Sequence, residues 1–402
     1  MRRVLIQFVG AAALAVAAAG TASAGDGVVR IGILNDQSGV FSDSTGPGST
    51  LAAKMAAEDF GGKAAGMPIE IVAADHQNKP DVGSVIARRW FDLEHVDAIA
   101  DLGNSAVALA VADIAKQKNK VVLISAGGTT ALTGKACSPN TVQWTYDTWS
   151  QSNAIGSALV KAGHRKWFFV TADYTFGHNL RDETSKVVRQ QGGEVIGSVS
   201  HPLNTSDFSS YLLQAQASKA DVIALANGGD DTANAIKQAQ EFNITSKQII
   251  VGLSTMITDI KALGLKATQG LYITETFYWD QTPQSRAWSK RFAERNKGRY
   301  PTMMQAGVYG AVLQYLKAVQ AAGGADDGRK VVAKMKEIPT DDPLFGKGYI
   351  LPNGRKIHDV HIYKVKSPEE SKYPWDFYKL ISTVPGKEAF LSVAQSGCQV
   401  SW

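Results

Sequence analysis

Cysteine is nearly absent from this chain: Cys137 and Cys398 are the only two in 402 residues. A dense disulfide framework is thereby excluded. In an oxidising compartment the simplest outcome is one bond between the two, worth roughly 5 kcal/mol in the chain-entropy model for so long a loop. Two free thiols or a metal site are the alternatives, although no histidine stands at ligand spacing beside either cysteine. Long apolar runs are missing too. Beyond the first two dozen residues no stretch is apolar for long enough to cross a bilayer. An excess of one charge is also lacking: 42 Lys and Arg stand against 37 Asp and Glu, a formal net of +5 dispersed along the chain. That is too mild to argue for nucleic acid as a partner. Signatures of catalysis are wanting as well. There is no G-x-S-x-G elbow, and Ala126-Gly127-Gly128-Thr129 is not a phosphate-binding G-x-x-x-x-G-K-[ST] loop. Asp173 and His178 stand five apart with no positioned nucleophile, and His76 and His95 lie in separate elements. His201, followed by Pro202, reads as a surface turn.

What is present begins with a leader. Met1-Arg2-Arg3 precedes an Ala-rich apolar segment and then Ala22-Ser23-Ala24, which describes a secretory signal peptide cleaved after Ala24. No cysteine adjoins that site, so no lipid anchor is expected there. Losing Arg2 and Arg3 lowers the formal charge of +5 by two.

From Val28 short apolar runs alternate with amphipathic stretches. Strands are predicted over 28–34, 68–74, 98–102 and 121–125, and helices over 49–60, 81–93 and 106–118. The segment 141–146, TVQWTY, reads as an extended link. The alternation then restarts, with strands at 166–171, 194–199, 221–226 and 248–252 and helices at 150–162, 179–191, 208–218 and 230–242. Strands alternating with helices imply parallel sheets covered on both faces, here in two α/β lobes. A second extended link is predicted at 271–277, then helices at 282–295, 303–322 and 328–338. Residues 348–366 alternate like a hairpin, with Pro352-Asn353-Gly354 as its turn. Two lobes joined by several extended crossings make a hinge that closes on a ligand between them.

Two strand ends stand out. Val121–Ile124 runs into Ser125-Ala126-Gly127-Gly128-Thr129-Thr130, and Val96–Leu102 runs into Gly103-Asn104-Ser105 just before a helical pattern. Small residues let backbone N–H groups approach a ligand, and the start of a helix favours an anion. Ordinary strand-to-helix turns are composed in the same way. Position separates the two readings, because parallel sheets bind ligands beyond the carboxyl ends of their strands.

The stretches VRIGILNDQSGVFSD, DLGNSAVALA, ISAGGTTALTGKACSPNTVQWTY, TADYTFG and QAGVYGAVLQYLKAV, in that order, resemble the periplasmic substrate-binding proteins of ABC importers. More narrowly they resemble the type I, branched-chain amino acid-binding (Leu/Ile/Val-binding) family. The resemblance implies two Rossmann-like lobes with parallel sheets and a three-crossing hinge. Lobe one would be residues 25–146 plus 278–340, and lobe two 147–277 plus the C-terminal segment 341–402. It further implies a periplasmic monomer without cofactor, metal or enzymatic activity that delivers a small molecule to a cognate ABC permease. Sensing for a signalling receptor is the other role this fold serves. Residue by residue, the resemblance makes Ser105, Gly127 and Thr129 a carboxylate anchor, with Asn104 and Gly128 beside them.

One departure bears on the cargo. Amino acid binders of this family place a lobe-two acid against the ligand ammonium, shortly after the strand that here ends at Gly252. Here Leu253-Ser254-Thr255-Met256 follows, with no acid before Asp259. An ammonium buried without a counter-charge is heavily penalised. Asp230 and Asp231 read as caps of the helix that starts there. Aromatic residues follow the links and a lobe-two strand: Tyr146, Trp149, Tyr174, Phe176, Tyr278 and Trp279. Such rings suit a flat ligand body, although in a chain with 8 Trp, 12 Tyr and 14 Phe some are simply hinge packing. Asn227 and Ser254 complete the candidate site. The expected cargo is a carboxylate without an amine, an aromatic acid foremost; a branched-chain or other amino acid is the alternative.

Overall fold

The computed structural model describes residues 27–399; the expected leader and its cleavage point lie outside them. The first set of apolar runs forms a six-stranded sheet. Its order is Lys63–Ala64, Met67–Asp75, Val29–Asn35, Ala98–Asp101, Val121–Ile124 and Thr141–Gln143. All neighbours are parallel except the short first pair. The central strand VRIGILN is almost wholly buried because helices cover both faces. Gly32 in its middle lets the Trp90 ring lie against the sheet, since a Cβ there would stand 2.3 Å from that ring. Helices Gly46–Asp59, Pro80–Asp92, Ser105–Lys118 and Met303–Ala322 do the covering. The last is the lobe's inner helix, with Val308, Ala311, Val312, Tyr315, Leu316 and Val319 all buried. It begins in a reciprocal cap between Thr302 and Gln305. The same two side chains bond to the carbonyls of Ser44 and Thr45, so the start of this helix fixes the chain that follows the first strand.

The second set forms a four-stranded parallel sheet in the order Ile249–Gly252, Val222–Ala226, Lys166–Ala172, Glu194–His201. Helices Thr148–Lys161, Thr175–Gln190, Ser209–Ala217 and Asp230–Glu241 cover it. His201 is not a surface turn residue. The strand continues to its position, and its ring is fully buried 4.7 Å from that of Phe208. Asp230 and Asp231 lie in the first turn of their helix, whose cap position is Gly229.

The C-terminal region departs most from expectation. A hairpin turning through 351–355 does form, between Gly346–Ile350 and Lys356–Ile357, but it is short. Val360–Val365 instead pairs with Tyr272–Glu275 on one side and Tyr378–Val384 on the other. Among the described residues three links join the lobes, around Trp144–Tyr146, Thr276–Tyr278 and 340–358. Arg355 binds the third link to the first. Its guanidinium donates to the carbonyls of Tyr146 and Thr145, each at 3.0 Å, and to that of Lys356 at 2.9 Å. Gly354 allows the approach: its φ is +87° and a Cβ there would meet the Thr141 carbonyl at 2.2 Å.

Cys137 and Cys398 form a disulfide across a separation of 261 residues. The tail it holds is lightly packed, because helix Val393–Ser396 buries none of its residues. Replacing both cysteines by alanine is therefore expected to cost about 2 kcal/mol, the low end of the usual range. Urea unfolding of the variant beside the parent measures this.

Candidate functional site

The carboxyl ends of strands from both sheets meet at a narrow cavity between the lobes. Lobe one contributes Phe41, Ser44 and Thr45 after its first strand, Gly103 after Ala98–Asp101, Tyr146 from the first link, and Met304. Lobe two contributes Tyr174 and Phe176 after Lys166–Ala172, Gly228 and Gly229 after Val222–Ala226, and Ser254 and Met256 after Ile249–Gly252. No lining residue carries a charge. Four aromatic rings, two methionines, three serine or threonine residues and three glycines make an apolar, flat-walled pocket with a few polar atoms, the usual make-up of a small-molecule site.

Beside it lies the anchor loop. Ser105 opens helix Ser105–Lys118, while the Asn104 side chain caps that helix by accepting from the amides of Ala106 and Val107. The backbone reaches this point through Asp101 and Leu102, both at positive φ (82° and 56°). Such conformations persist only where the surroundings hold them. Here the buried Asp101 carboxyl accepts from Asn35 at 2.8 Å and Ser125 at 2.7 Å; burial pushes its pKa up. The amide of Thr129 donates to the Ser105 hydroxyl at 3.2 Å.

The carbonyls around the loop are all taken. Ala126 O accepts from the Tyr146 hydroxyl, Gly127 O and Thr129 O from the Gln143 amide, and Gly128 O from the Thr148 amide. Among the described residues no acceptor meets the N–H of Gly127 or of Gly128. Carbonyls tied back and amides left open, next to a helix start, create a concavity suited to an anion.

The lobes touch here, so the cleft is closed. A Cβ at Gly128 would lie 2.7 Å from the Phe176 ring and 2.9 Å from the Tyr146 ring. The Thr129 hydroxyl donates to Asn179 of lobe two at 2.8 Å. On the opposite wall a Cβ at Gly229 would meet the Val40 carbonyl at 2.3 Å and the Phe41 ring at 3.0 Å.

Of the residues singled out from sequence, Tyr146, Tyr174, Phe176 and Ser254 line the cavity. Asn104, Ser105, Gly127, Gly128 and Thr129 form the adjoining loop and helix start. Two lie elsewhere. Tyr278 faces the C-terminal segment: its hydroxyl donates to Trp375 O and accepts from Phe377 N, and its ring packs with Tyr363 and Tyr378. Asn227 is buried and bonded to His201 and Thr232. Trp149 lies under Lys186 and Trp279 beside Tyr300. Phe41, Ser44, Thr45, Met256, Met304 and the Gly228-Gly229 pair were not anticipated. Their common signal is position, within a few residues of a strand's carboxyl end or of a helix start.

Three lobe-two carboxyls lie behind the pocket wall. Asp231 and Asp259 are each pushed up to about 7, and Glu275 well above the usual glutamate range, in every case chiefly by burial. Asp231 accepts from the Asn204 amide and Asp259 from that of Met256. Asp173 and His178 form an exposed pair at 2.8 Å with no nucleophile assigned to it.

A family model described as periplasmic binding protein matches residues 28–372. The crystal structure of a periplasmic binding protein from Burkholderia mallei superposes with a TM-score of 0.90 at 47% identity, covering 92% of this chain and 98% of that one. A branched chain amino acid ABC transporter periplasmic ligand-binding protein from Burkholderia xenovorans LB400 gives a TM-score of 0.82 at 39% identity, covering 92% and 99%. The ABC transporter solute binding protein from R. palustris in complex with benzoate has the same fold, with a TM-score of 0.82 at 19% identity over 93% and 100% of the two chains.

Proposed function

The chain belongs to the periplasmic binding protein family, and from that premise we propose that its cargo is a small organic acid, an aromatic carboxylate foremost. The carboxylate docks on the open amides of Gly127 and Gly128 and the Ser105 hydroxyl. The ring lies among Phe41, Tyr146, Tyr174 and Phe176, and lobe two closes over it. The protein is exported, loses its leader after Ala24, works as a monomer and passes its cargo unchanged to a membrane permease.

The observation that carries this reading is the lining of the cavity: aromatic faces and hydroxyls, with no carboxylate to meet an ammonium. Of the nearby lobe-two acids, Asp231 and Asp259 have their own amide donors, and burial pushes the pKa of Glu275 well above the usual glutamate range. That the same fold in R. palustris holds benzoate supports the reading by analogy. Branched-chain amino acid binding is the second reading, favoured by the Burkholderia xenovorans relative.

Calorimetry with benzoate and leucine on ligand-free protein separates the two. Benzoate is expected to bind and leucine not. Tight leucine binding with failure of every benzoate-type acid would reject the proposal. Within it, Ser105→Ala removes a donor to a buried carboxylate and is expected to weaken benzoate binding by about 1–3 kcal/mol. Unchanged affinity would mean that the acid is held elsewhere.

A further inference from the structure

Helix Thr175–Gln190 of lobe two meets the anchor loop of lobe one through two side chains one turn apart. Asn179 accepts from the Thr129 hydroxyl at 2.8 Å, and Glu183 accepts from the Thr130 hydroxyl at 2.5 Å. Consecutive loop threonines thus engage residues spaced i, i+4 on one helical face. These bonds span the lobes, so opening the cleft breaks both. We infer that Asn179 and Glu183 are the latch that positions the anchor loop on closure, and that at mildly acidic pH Glu183 engages as a carboxylic acid, so that capture there takes up a proton. This rests on the closing cleft of the proposed function, and it is independent of which acid fills it.

The surroundings of Glu183 support a neutral carboxyl. Its Oε2 is sealed from solvent and, like the Thr148 hydroxyl, has no hydrogen-bond partner in the structure. An ionised carboxylate would bring a charge to that place with only the hydroxyls of Thr130 and Thr148 to stabilise it. The charged groups that act on it pull in opposite directions: Asp147, at the start of helix Thr148–Lys161, opposes ionisation, while Lys186 on its own helix favours it. The facing loop offers only hydroxyls, and helix Ser105–Lys118 has no ionisable residue before Asp113. Of the other charges on the helix, His178 is paired with Asp173, Arg181 with Asp182, and Arg189 lies in the last turn. Burial, ahead of every other influence, pushes the Glu183 carboxyl up to about 7 from an ordinary 4.5.

The direction of the linkage follows. A carboxyl with a higher pKa in the closed state than in the open one favours closure at low pH. Above pH 7 both states are ionised and closure carries the full cost of burying the charge. Between pH 7 and 4.5 the closed state is protonated first, and closure gains up to about tenfold per pH unit. Below that range the gain is complete.

The test reads closure with and without cargo. Spin labels attached by non-thiol chemistry at the exposed Lys116 and Gln214 leave the disulfide intact and report the distribution of interlobe distances. In the ligand-free parent the short-distance population should grow from pH 8 to pH 5.5; in Glu183→Gln it should be larger at pH 8 and independent of pH. Calorimetry with benzoate in buffers of different ionisation enthalpy should show at least tenfold tighter binding at pH 5.5 than at pH 8, with proton uptake, and neither effect in E183Q. Parent and variant distributions that respond alike to pH, or not at all, overturn the latch. Benzoate failing to bind while the distances still shift with pH rejects the cargo reading and leaves the latch standing.

Discussion

Replacing Gly128 by valine is expected to lower the affinity for cargo by about 100-fold and to cost the folded, ligand-free protein distinctly less than that. The site of the clash is the reason. The first atom added, the Cβ, would already stand 2.7 Å from the Phe176 ring and 2.9 Å from the Tyr146 ring, inside van der Waals contact. Phe176 belongs to lobe two and Gly128 to lobe one, so much of that overlap exists only when the cleft is closed. Overpacking of this kind costs about 3 kcal/mol at the upper end of its usual range, and each 1.4 kcal/mol is about a factor of ten in affinity. An open cleft removes the Phe176 contact, so the ligand-free protein can relax. Gly128 has no positive φ, and a β-branched residue there brings no backbone strain. Benzoate calorimetry together with thermal unfolding checks both halves. Parent-like binding would show that the rings yield. Loss of stability equal to the loss of affinity would show that the lobes are fixed in contact.

The two sheets could be read from sequence because their strands are apolar throughout: VRIGILN, VVLI and VIALA are buried along nearly their full length. A parallel strand covered on both faces has no other way to look. Tyr378–Val384 escaped notice for the opposite reason. It is an edge strand that exposes Leu380 and Ile381, and neither alternation nor a continuous apolar run marks it. The site shows the same division. The strand ends after Asp101 and Ile124 carry small residues and a helix cap that local sequence displays. Phe41 reaches the cavity on a loop that Asp36 holds through the Phe41 amide and that Thr302 and Gln305, far along the chain, hold through the carbonyls of Ser44 and Thr45. Tyr146 and Tyr278 both belong to hinge links. What separates them is the C-terminal segment, where the carbonyl of Trp375 and the amide of Phe377 draw Tyr278 away from the cleft. Sequence order alone has no means of stating which partner arrives.

Arg355 is the sharpest case of a residue without a sequence signal, and its loss is expected to cost about 3–5 kcal/mol of stability, the usual price of stripping a buried charge of its partner. The side chain is 1% exposed and sits 4.5 Å over the Phe390 ring. In Arg355→Met four groups lose their partner together. The carbonyls of Thr145, Tyr146 and Lys356 lose their donors, and the buried Asp147 loses the guanidinium 3.9 Å away. Burial already raises the Asp147 carboxyl above its ordinary 3.8, and Arg355 is the first influence holding it down. Without Arg355 it rises further. A carboxyl whose folded pKa exceeds its unfolded value stabilises the fold at low pH and loses that contribution as pH climbs through the folded pKa. The deficit of the variant should therefore widen as pH climbs past the already raised pKa of Asp147 in the parent, and level off above the still higher pKa in the variant. Arg355→Lys keeps a charge but is a single point, unable to span two carbonyls, and should recover only part of the loss. Urea unfolding of parent, Met and Lys variants at pH 5 and pH 8 measures all of this. Equal deficits at both pH values would remove Asp147 from the account, and a stable Met variant would show that the first and third links hold together without the guanidinium between them.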